Sequence, residues 1–134
     1  MAVVCVTSAR LAPAKYAAGL LDLRRDMALE RQPLLLKLAP DLAPEDLDAA
    51  VDVAASSGID GLIATNTTLD RGIVSEANRA RVEAWGAGGL SGRGLHDKAR
   101  LVRKRVLARL AGRLPLVACG GLGSGAEVKE ALDD

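Results

Sequence analysis

Four small polar residues, Thr65, Asn66, Thr67 and Thr68, directly follow a short apolar run, GLIA, at positions 61–64. The run has the length and unbroken apolar character of a parallel strand that is covered by helices on both faces. Polar groups at the carboxyl end of such a strand point into the crevice where α/β proteins bind ligands. The TNTT segment is therefore a candidate binding site. The alternative interpretation is a polar loop that only caps the strand.

Lys37 interrupts a second apolar run, LLLKL, at positions 34–38. An amine in an apolar strand is costly unless it reaches water or an anionic partner. At the carboxyl end of a barrel strand, Lys37 would face a ligand, where a fixed cation stabilises developing negative charge. Alternatively, it is an edge-strand lysine that discourages pairing between chains.

A glycine-rich segment, GGLGSG, lies at 120–125 between a predicted strand and a predicted helix. Glycines at such a junction let backbone N–H groups approach a phosphate, assisted by the helix dipole. Gly121, Gly123 and Ala126 also fit the loose dinucleotide fingerprint, but the acidic residue that it expects about 20 positions later is not in the sequence. A barrel-type phosphate loop needs no such residue, and a plain tight turn is the alternative. A second segment, GGLSG at 88–92, predicts a flexible lid or another close backbone approach.

Strands and helices alternate along the chain in the order β-α-β-α-β-long loop-α-β-α. The strands are predicted at 3–6, 34–38, 61–64 and 116–119, the helices at 13–30, 44–57 and 95–110 with a short one after 125, and an irregular connection at 69–93. Helix 44–57 has the clearest signals, because Pro44 suits its first position and Gly58 suits its end.

This alternation predicts an α/β fold with a parallel sheet. We expect a single domain over residues 1–134, a partial TIM (β/α) barrel with about four parallel strands. A small doubly wound nucleotide-binding module is the alternative, and strand order distinguishes the two, because sequential neighbours suit a barrel and a reversal suits the module. Four strands leave open edges, so we expect self-association or a completing chain.

The composition narrows the classes of partner. Eighteen basic and seventeen acidic residues leave a net charge of +1, which gives no reason to expect nucleic acid or an anionic membrane as a partner. No apolar run is long enough for a transmembrane segment, and the start does not look like a secretory signal. Cys5 and Cys119 are expected to be buried free thiols in a reducing compartment rather than a disulfide, and no metal site is predicted.

Four segments together resemble the flavin-binding half of dihydroorotate dehydrogenase, most closely that of the quinone-linked class 2 enzymes. They are LLLKLAPDL (34–42), GIDGLIATNTT (58–68), GGLSG (88–92) and LVACGGLGSG (116–125), in the order of the family and at similar intervals. The resemblance is strongest over 33–131. It implies an oxidoreductase of pyrimidine (UMP) biosynthesis, a flavoprotein with FMN as cofactor, dihydroorotate and orotate as ligands, and a quinone as electron acceptor.

The resemblance also implies roles for individual residues. By resemblance, Lys37 and Thr65 contact the flavin, and Asn66 and Thr67 bind the orotate ring. The glycines Gly92, Gly120 and Gly121 match positions near the ribityl and phosphate groups of FMN.

Ser8 aligns with the family's catalytic serine, although its neighbours in CVTSAR (5–10) differ from the asparagine- and proline-containing motif of the family. The resemblance implies a cytoplasmic location, or a peripheral one on the inner membrane, with the family's membrane-docking extension absent. The chain is expected to be incomplete as a stand-alone catalyst. The alternative is an inactive remnant that retains only a half-site for phosphate or flavin.

Overall fold

The computed structural model describes residues 2–6, 13–29 and 32–134, which form a sheet with helices. The strands are β1 (Ala2–Val6), β2 (Leu34–Leu38), β3 (Gly61–Ala64) and β4 (Leu116–Ala118), and the helices are α1 (Pro13–Asp26), α2 (Pro44–Ser57), α3 (Glu76–Ala84), α4 (His96–Leu110) and α5 (Gly125–Asp133). The predicted α/β class is confirmed.

The four strands form one parallel sheet in the order β1-β2-β3-β4. Every strand therefore lies beside its neighbour in sequence, with no reversal of order. Sequential parallel neighbours are the arrangement of a (β/α) barrel, whereas a doubly wound sheet reverses its order at a switch point. The partial barrel is confirmed, and the doubly wound alternative is wrong.

Helix α2 illustrates how the sequence determines the core. Pro44 opens the helix, and the backbone of Gly58 ends it in the left-handed region at φ 91°. Between them the apolar residues recur at three- and four-residue spacing and are all buried: Leu47, Ala50, Val51 and Ala54. This stripe packs against the strand side chains Leu36, Leu38 and Leu62 and against α4. Truncating Leu47 to alanine is expected to cost about 2–5 kcal/mol, because the site is closely packed.

The opposite face of the sheet carries the alternate side chains. Lys37 pairs in register with Ile63, which in turn pairs with Val117. Successive side chains of a strand point to opposite faces, so this row faces away from the helices, toward the interior of the barrel. In this row Lys37 is half-buried, Ile63 is 8 % exposed and Val117 on the edge strand is 47 % exposed.

Four boundaries and one element differ from the predictions, and the first difference is that β1 begins at Ala2 rather than at residue 3. The connection at 69–93 is not irregular: it contains α3 and two 3₁₀ turns, Arg71–Ile73 and Arg93–Leu95. Helix α3 has one buried residue, Val82, so it lacks the apolar stripe by which a helix is recognised in sequence. Helix α1 ends at Asp26, α4 begins at His96, and β4 ends at Ala118.

Two further predictions concerned the cysteines and membrane-spanning segments. Cys119 is a free thiol and is half-buried rather than buried. Among the described helices, none is long and apolar enough to cross a membrane.

Candidate functional site

The carboxyl ends of β2, β3 and β4 meet at one edge of the sheet. The amide of Asn66 donates to the carbonyl of Leu38 at 2.7 Å, which ties the end of β3 to the end of β2. The amide of Cys119 donates to Ala64 at 2.7 Å, and that of Thr65 donates to Cys119 at 2.5 Å. These backbone bonds bring the TNTT segment and the glycine turn at 120–121 to the same edge, close to Lys37.

The side chain of Thr65 lies beneath this edge. The residue is 1 % exposed, and its Oγ1 has no hydrogen-bond partner among the described residues. A Cβ added at Gly120 would lie 3.3 Å from this hydroxyl. A buried hydroxyl without a partner costs about 1–3 kcal/mol, so a polar atom that reaches Thr65 would be stabilised there. The peptide bond before Thr65 is cis.

Gly121 packs against the first residue of α4. Its φ is 73°, and a Cβ at this position would lie 2.4 Å from the Cα of His96 and 2.5 Å from its backbone nitrogen. The carbonyl of Gly121 also lies 3.2 Å from His96 Nδ1. Only glycine allows both this conformation and this approach. The turn after β4 is therefore held at the amino end of α4.

An open cleft of about 230 Å³ separates this turn from the GGLSG segment. Four of its seven lining residues are glycines, among Ser91, Gly92, Arg93 and the turn residues 120–123. Gly92, with φ 86°, lines the same cleft as Gly121. The cleft thus brings together the three glycines that the resemblance places near the phosphate and ribityl groups.

Glu127 closes the lower end of the glycine turn, a role that the sequence reasoning missed. Its Oε2 accepts from the Gly123 amide at 2.7 Å and from Ser124 Oγ at 3.0 Å, while Ser124 Oγ accepts from the Glu127 amide. The hydrogen bond from Gly123, followed by that from Ser124, lowers the pKa of Glu127. This is a capping box, and the spacing S-x-x-E at 124–127 could have predicted it.

The GGLSG segment lies directly against the TNTT segment. Thr68 and Leu90 exchange two backbone hydrogen bonds, of 3.0 and 2.7 Å. A Cβ at Gly89 would lie 2.1 Å from Thr67 Oγ1, so only glycine fits there. Asn66 is half-buried and Thr67 is exposed at this junction. The two loops therefore form one surface.

Lys98 connects this surface to the rest of the sheet, and no sequence pattern singles it out. Its Nζ lies 2.5 Å from Asp41 Oδ1, 3.1 Å from Asp70 Oδ2 and 3.3 Å from Thr68 Oγ1. Asp41 also accepts from Thr68 Oγ1 and from the amide of Leu69. The turn after β2, the loop after β3 and the first turn of α4 are joined through this cluster.

The charges of this cluster reinforce one another. Partial burial raises the pKa of Asp41. The hydrogen bonds from Lys98, Thr68 and Leu69 together lower it by more, so the net pKa is below its ordinary value. The hydrogen bond from the Gly72 amide has the largest effect on Asp70 and lowers its pKa, and the hydrogen bond from Lys98 lowers this pKa as well. Burial lowers the pKa of Lys98, whereas its two carboxylate partners raise it, with a net increase. All three groups are therefore charged at neutral pH.

Arg71 holds the other end of the GGLSG loop. Its Nη2 donates to the carbonyls of Gly86 and Gly88, at 2.9 and 2.8 Å. Two charge-assisted hydrogen bonds to carbonyls two residues apart hold this otherwise exposed segment in place. This residue was also missed, because nothing in the local sequence indicates which carbonyls an arginine contacts.

The remaining predicted residues differ in their placement. Lys37 is half-buried, one residue before the end of β2, and its ammonium forms no ion pair with any side chain of the described ranges. Ser8 lies outside the described residues. Within the described part of the chain, no cluster of three or more His, Cys, Asp or Glu residues could hold a metal ion.

The fold and this edge define a segment of a (β/α) barrel whose strand ends carry a polar and glycine-rich surface. A family model described as "Dihydroorotate dehydrogenase" matches residues 9–133. The chain belongs to the dihydroorotate dehydrogenase family.

Individual relatives agree with this assignment. The chain is 54 % identical over 91 residues to a "Dihydroorotate dehydrogenase (quinone)" of Anaeromyxobacter sp. (strain Fw109-5), covering 68 % of this chain and 24 % of that protein. A protein of the same description from Thermobifida fusca (strain YX) is 52 % identical over 91 residues, covering 67 % and 24 %. The chain thus spans about a quarter of the length of these relatives.

Solved structures support the fold. A ligand-free DHODH from Eimeria tenella superposes with a TM-score of 0.65 at 34 % identity, covering 75 % of this chain and 27 % of that one. A ferulenol complex of DHODH from the same organism superposes with a TM-score of 0.76 at 24 % identity, covering 96 % and 40 %, and this similarity concerns the fold alone.

Proposed function

We propose that residues 1–134 form one partial-barrel domain that supplies an FMN- and dihydroorotate-binding half-site to a dihydroorotate dehydrogenase. The observation that carries the proposal is the buried, unpartnered hydroxyl of Thr65 beside Gly120 and the glycine turn. When bound, FMN supplies the hydride acceptor for oxidation of dihydroorotate to orotate and passes the electrons on to a quinone. The rest of the barrel, present in the relatives, completes the catalyst.

The residues present fit the cofactor. The Thr65 hydroxyl is both donor and acceptor, so a polar atom of a flavin would satisfy it. The turn at Gly120 and Gly121 has positive φ at both residues and lies at the amino end of α4, where backbone N–H groups and the helix dipole favour a phosphate. The cleft between this turn and Gly92 is lined by four glycines among its seven residues, which leaves backbone groups accessible to a phosphate.

Lys37 provides the positive charge. It lies on the interior face of β2, in the row that contains Ile63 of β3. A lysine held there by a strand is a preorganised cation, and it would stabilise negative charge that develops on the cofactor ring. Because the strand positions it in advance, little reorganisation accompanies the reaction.

Asn66 and Thr67 are the substrate-binding pair of the proposal. An amide side chain offers two donors and an acceptor, and a hydroxyl offers one donor, which suits the carbonyl and N–H groups of a pyrimidine ring. Both residues lie on the surface formed with GGLSG, whose position Gly89 permits. Ser8 remains the predicted base, for which a strand-end hydroxyl within reach of the substrate is required.

FMN titration of the purified chain tests the proposal. Binding should quench the flavin fluorescence, and Lys37→Met should weaken binding about tenfold, equivalent to about 1.4 kcal/mol. Lys129→Met is the matched control, because this exposed lysine of α5 lies away from the strand ends. Equal binding by both variants, or a chain that takes up no FMN, would contradict the assigned site.

One observation favours a second candidate, a binding module without turnover. The chain covers only 24 % of its relatives, so much of the substrate enclosure lies outside these residues. Addition of dihydroorotate to the FMN-loaded chain distinguishes the two, because turnover bleaches the flavin absorbance. Bleaching would support the proposed FMN- and dihydroorotate-binding half-site, whereas uptake of FMN without bleaching would support the module without turnover.

A further inference from the structure

The side chain of His96 lies between the glycine turn and α5, and the proposed half-site does not use it. Its Nδ1 lies 3.2 Å from the carbonyl oxygen of Gly121 and 3.9 Å from Glu127 Oε1. Its Nε2 lies 3.5 Å from Glu130 Oε2. The side chain is 18 % exposed, so water reaches little of the ring. Each ring nitrogen therefore faces an oxygen that accepts hydrogen bonds.

This arrangement suits the protonated ring. A neutral imidazole has one donor and one acceptor nitrogen, whereas the imidazolium has two donors. In the neutral form, one ring nitrogen would direct its lone pair toward either the Gly121 carbonyl or the Glu130 carboxylate. Protonation removes this repulsion and places a positive charge beside two carboxylates. The charge of His96 is thus coupled to the position of the Gly121 carbonyl.

The charged residues around the ring are Glu127 and Glu130 of α5, Arg100 of α4, and the exposed sequence neighbours Arg93 and Asp97. The hydrogen bond from the Gly123 amide lowers the pKa of Glu127, so this group is a carboxylate throughout the range in which a histidine titrates, about pH 5 to 8. Glu130 Oε1 also lies 2.5 Å from Arg100 Nε. Of these residue types, only histidine ordinarily changes its charge in this range.

His96 and Glu127 contact the glycine turn at two points. His96 lies at the carbonyl of Gly121, and Glu127 accepts from the amide of Gly123 at 2.7 Å. The carbonyl of Gly121 and the N–H of Leu122 belong to one planar trans peptide and point in opposite directions. A donor that holds this carbonyl therefore also sets the direction of the Leu122 N–H. Leu122 lines the cleft that the proposed function assigns to the phosphate of FMN.

We propose that His96 is a positioning residue for the phosphate of FMN, and that its protonation fixes the glycine turn in the form that receives this phosphate. The inference rests on the proposed function, which assigns the turn to FMN. The protonated ring holds the Gly121 carbonyl and so directs the Leu122 N–H, and its charge adds to the positive end of α4. FMN affinity should be about fivefold higher with the protonated ring, at the lower end of typical couplings between two sites.

NMR of the chain without FMN tests the coupling between the ring and the turn. His96 is the only histidine of the sequence, so the imidazole signals need no assignment. Between about pH 5 and pH 8.5, the signals of the Gly121 carbonyl and the Leu122 amide should shift with the same midpoint as the ring signals. In His96→Asn the side-chain amide keeps a neutral donor near the position of Nδ1, and the shift should disappear. A ring that titrates without a change at Gly121 and Leu122 would overturn the inference.

Flavin fluorescence titrations at about pH 5.5 and about pH 8.5 test the effect on the phosphate. The phosphate of FMN itself changes charge near about pH 6, so the measured quantity is the affinity of the parent divided by that of His96→Asn at each pH. This ratio should be about fivefold larger at the lower pH for FMN, and should not depend on pH for riboflavin, which has no phosphate. Asp97→Asn is the matched control, because it changes a charge in the same turn of α4 and should alter FMN affinity by the same factor at both pH values.

The outcomes separate this inference from the proposed function. A ratio for FMN that is the same at both pH values, or a ratio for riboflavin that depends on pH in the same way, would overturn the role of His96 even though FMN binds. A chain that takes up no FMN at either pH would contradict the proposed function. The NMR titration then decides whether His96 controls the turn, because it requires no cofactor.

Discussion

Lys98 Nζ lies 2.5 Å from Asp41 Oδ1, and this ion pair joins the first turn of α4 to the turn that follows β2, across 57 residues of sequence. Both side chains are 29 % exposed. Asp41 is the centre of the cluster, because it also accepts from Thr68 Oγ1 and the Leu69 amide. The pair therefore positions the loop that carries the TNTT segment.

Removing Asp41 should cost more than removing Lys98. Asp41→Ala leaves three donors without their acceptor and is expected to destabilise the chain by about 1–3 kcal/mol. Lys98→Met leaves Asp41 with two donors and removes two partly exposed ion pairs, with Asp41 and Asp70, each expected to contribute about 1 kcal/mol or less. Urea unfolding of the single and double variants measures the coupling. A larger loss for Lys98→Met than for Asp41→Ala would contradict this account.

The same cluster predicts sensitivity to acid. Burial raises the pKa of Asp41 in the folded chain, but the hydrogen bonds from Lys98, Thr68 and Leu69 together outweigh it, so the net pKa is lowered. A lowered carboxylate pKa contributes stability that is fully present above the unfolded pKa, about 4, and is lost as the pH falls through the folded value.

Unfolding free energies at pH 7 and at several values below 5 measure this effect. Asp41→Asn should be less stable than the parent at pH 7, and the difference should shrink as the pH falls below about 4. Asp26→Asn, at the exposed end of α1, is the control. A difference between Asp41→Asn and the parent that stays constant down to about pH 2 would show that the carboxylate makes no linked contribution.

Local signals in the sequence predicted much of the fold and part of the site. The sequence predicted the apolar stripe of α2, the apolar strands and the polar strand ends, because each of these features depends on residues that are close in sequence. Helix α3 was missed because its charges surround a single buried residue, Val82. The Lys98 cluster was missed because its members come from three separate segments, which no local pattern connects. The contact of Gly121 with His96 likewise depends on tertiary packing.

Gly121 should tolerate alanine less well than Gly58. Both have positive φ, so alanine at either position incurs about 1–2 kcal/mol for the left-handed conformation. At Gly58 a Cβ would meet nothing within 4 Å, whereas at Gly121 it would overlap the backbone of His96. Gly121→Ala is therefore expected to cost about 1–3 kcal/mol more than Gly58→Ala, in the range of overpacking. Equal unfolding free energies for the two variants would show that the turn can shift away from α4 without a measurable cost in stability.

Thr65→Val separates stability from binding. The hydroxyl of Thr65 is buried without a described partner, so replacing it by a methyl group removes a desolvated polar atom and should stabilise the free chain by about 1–2 kcal/mol. The same change removes the group that the proposed function assigns to FMN, and FMN affinity should fall about tenfold, or about 1.4 kcal/mol. Urea unfolding and flavin fluorescence measure the two effects on the same preparation. A variant that loses stability in parallel with affinity would indicate that Thr65 has a structural role, because only a ligand-directed hydroxyl moves the two quantities in opposite directions.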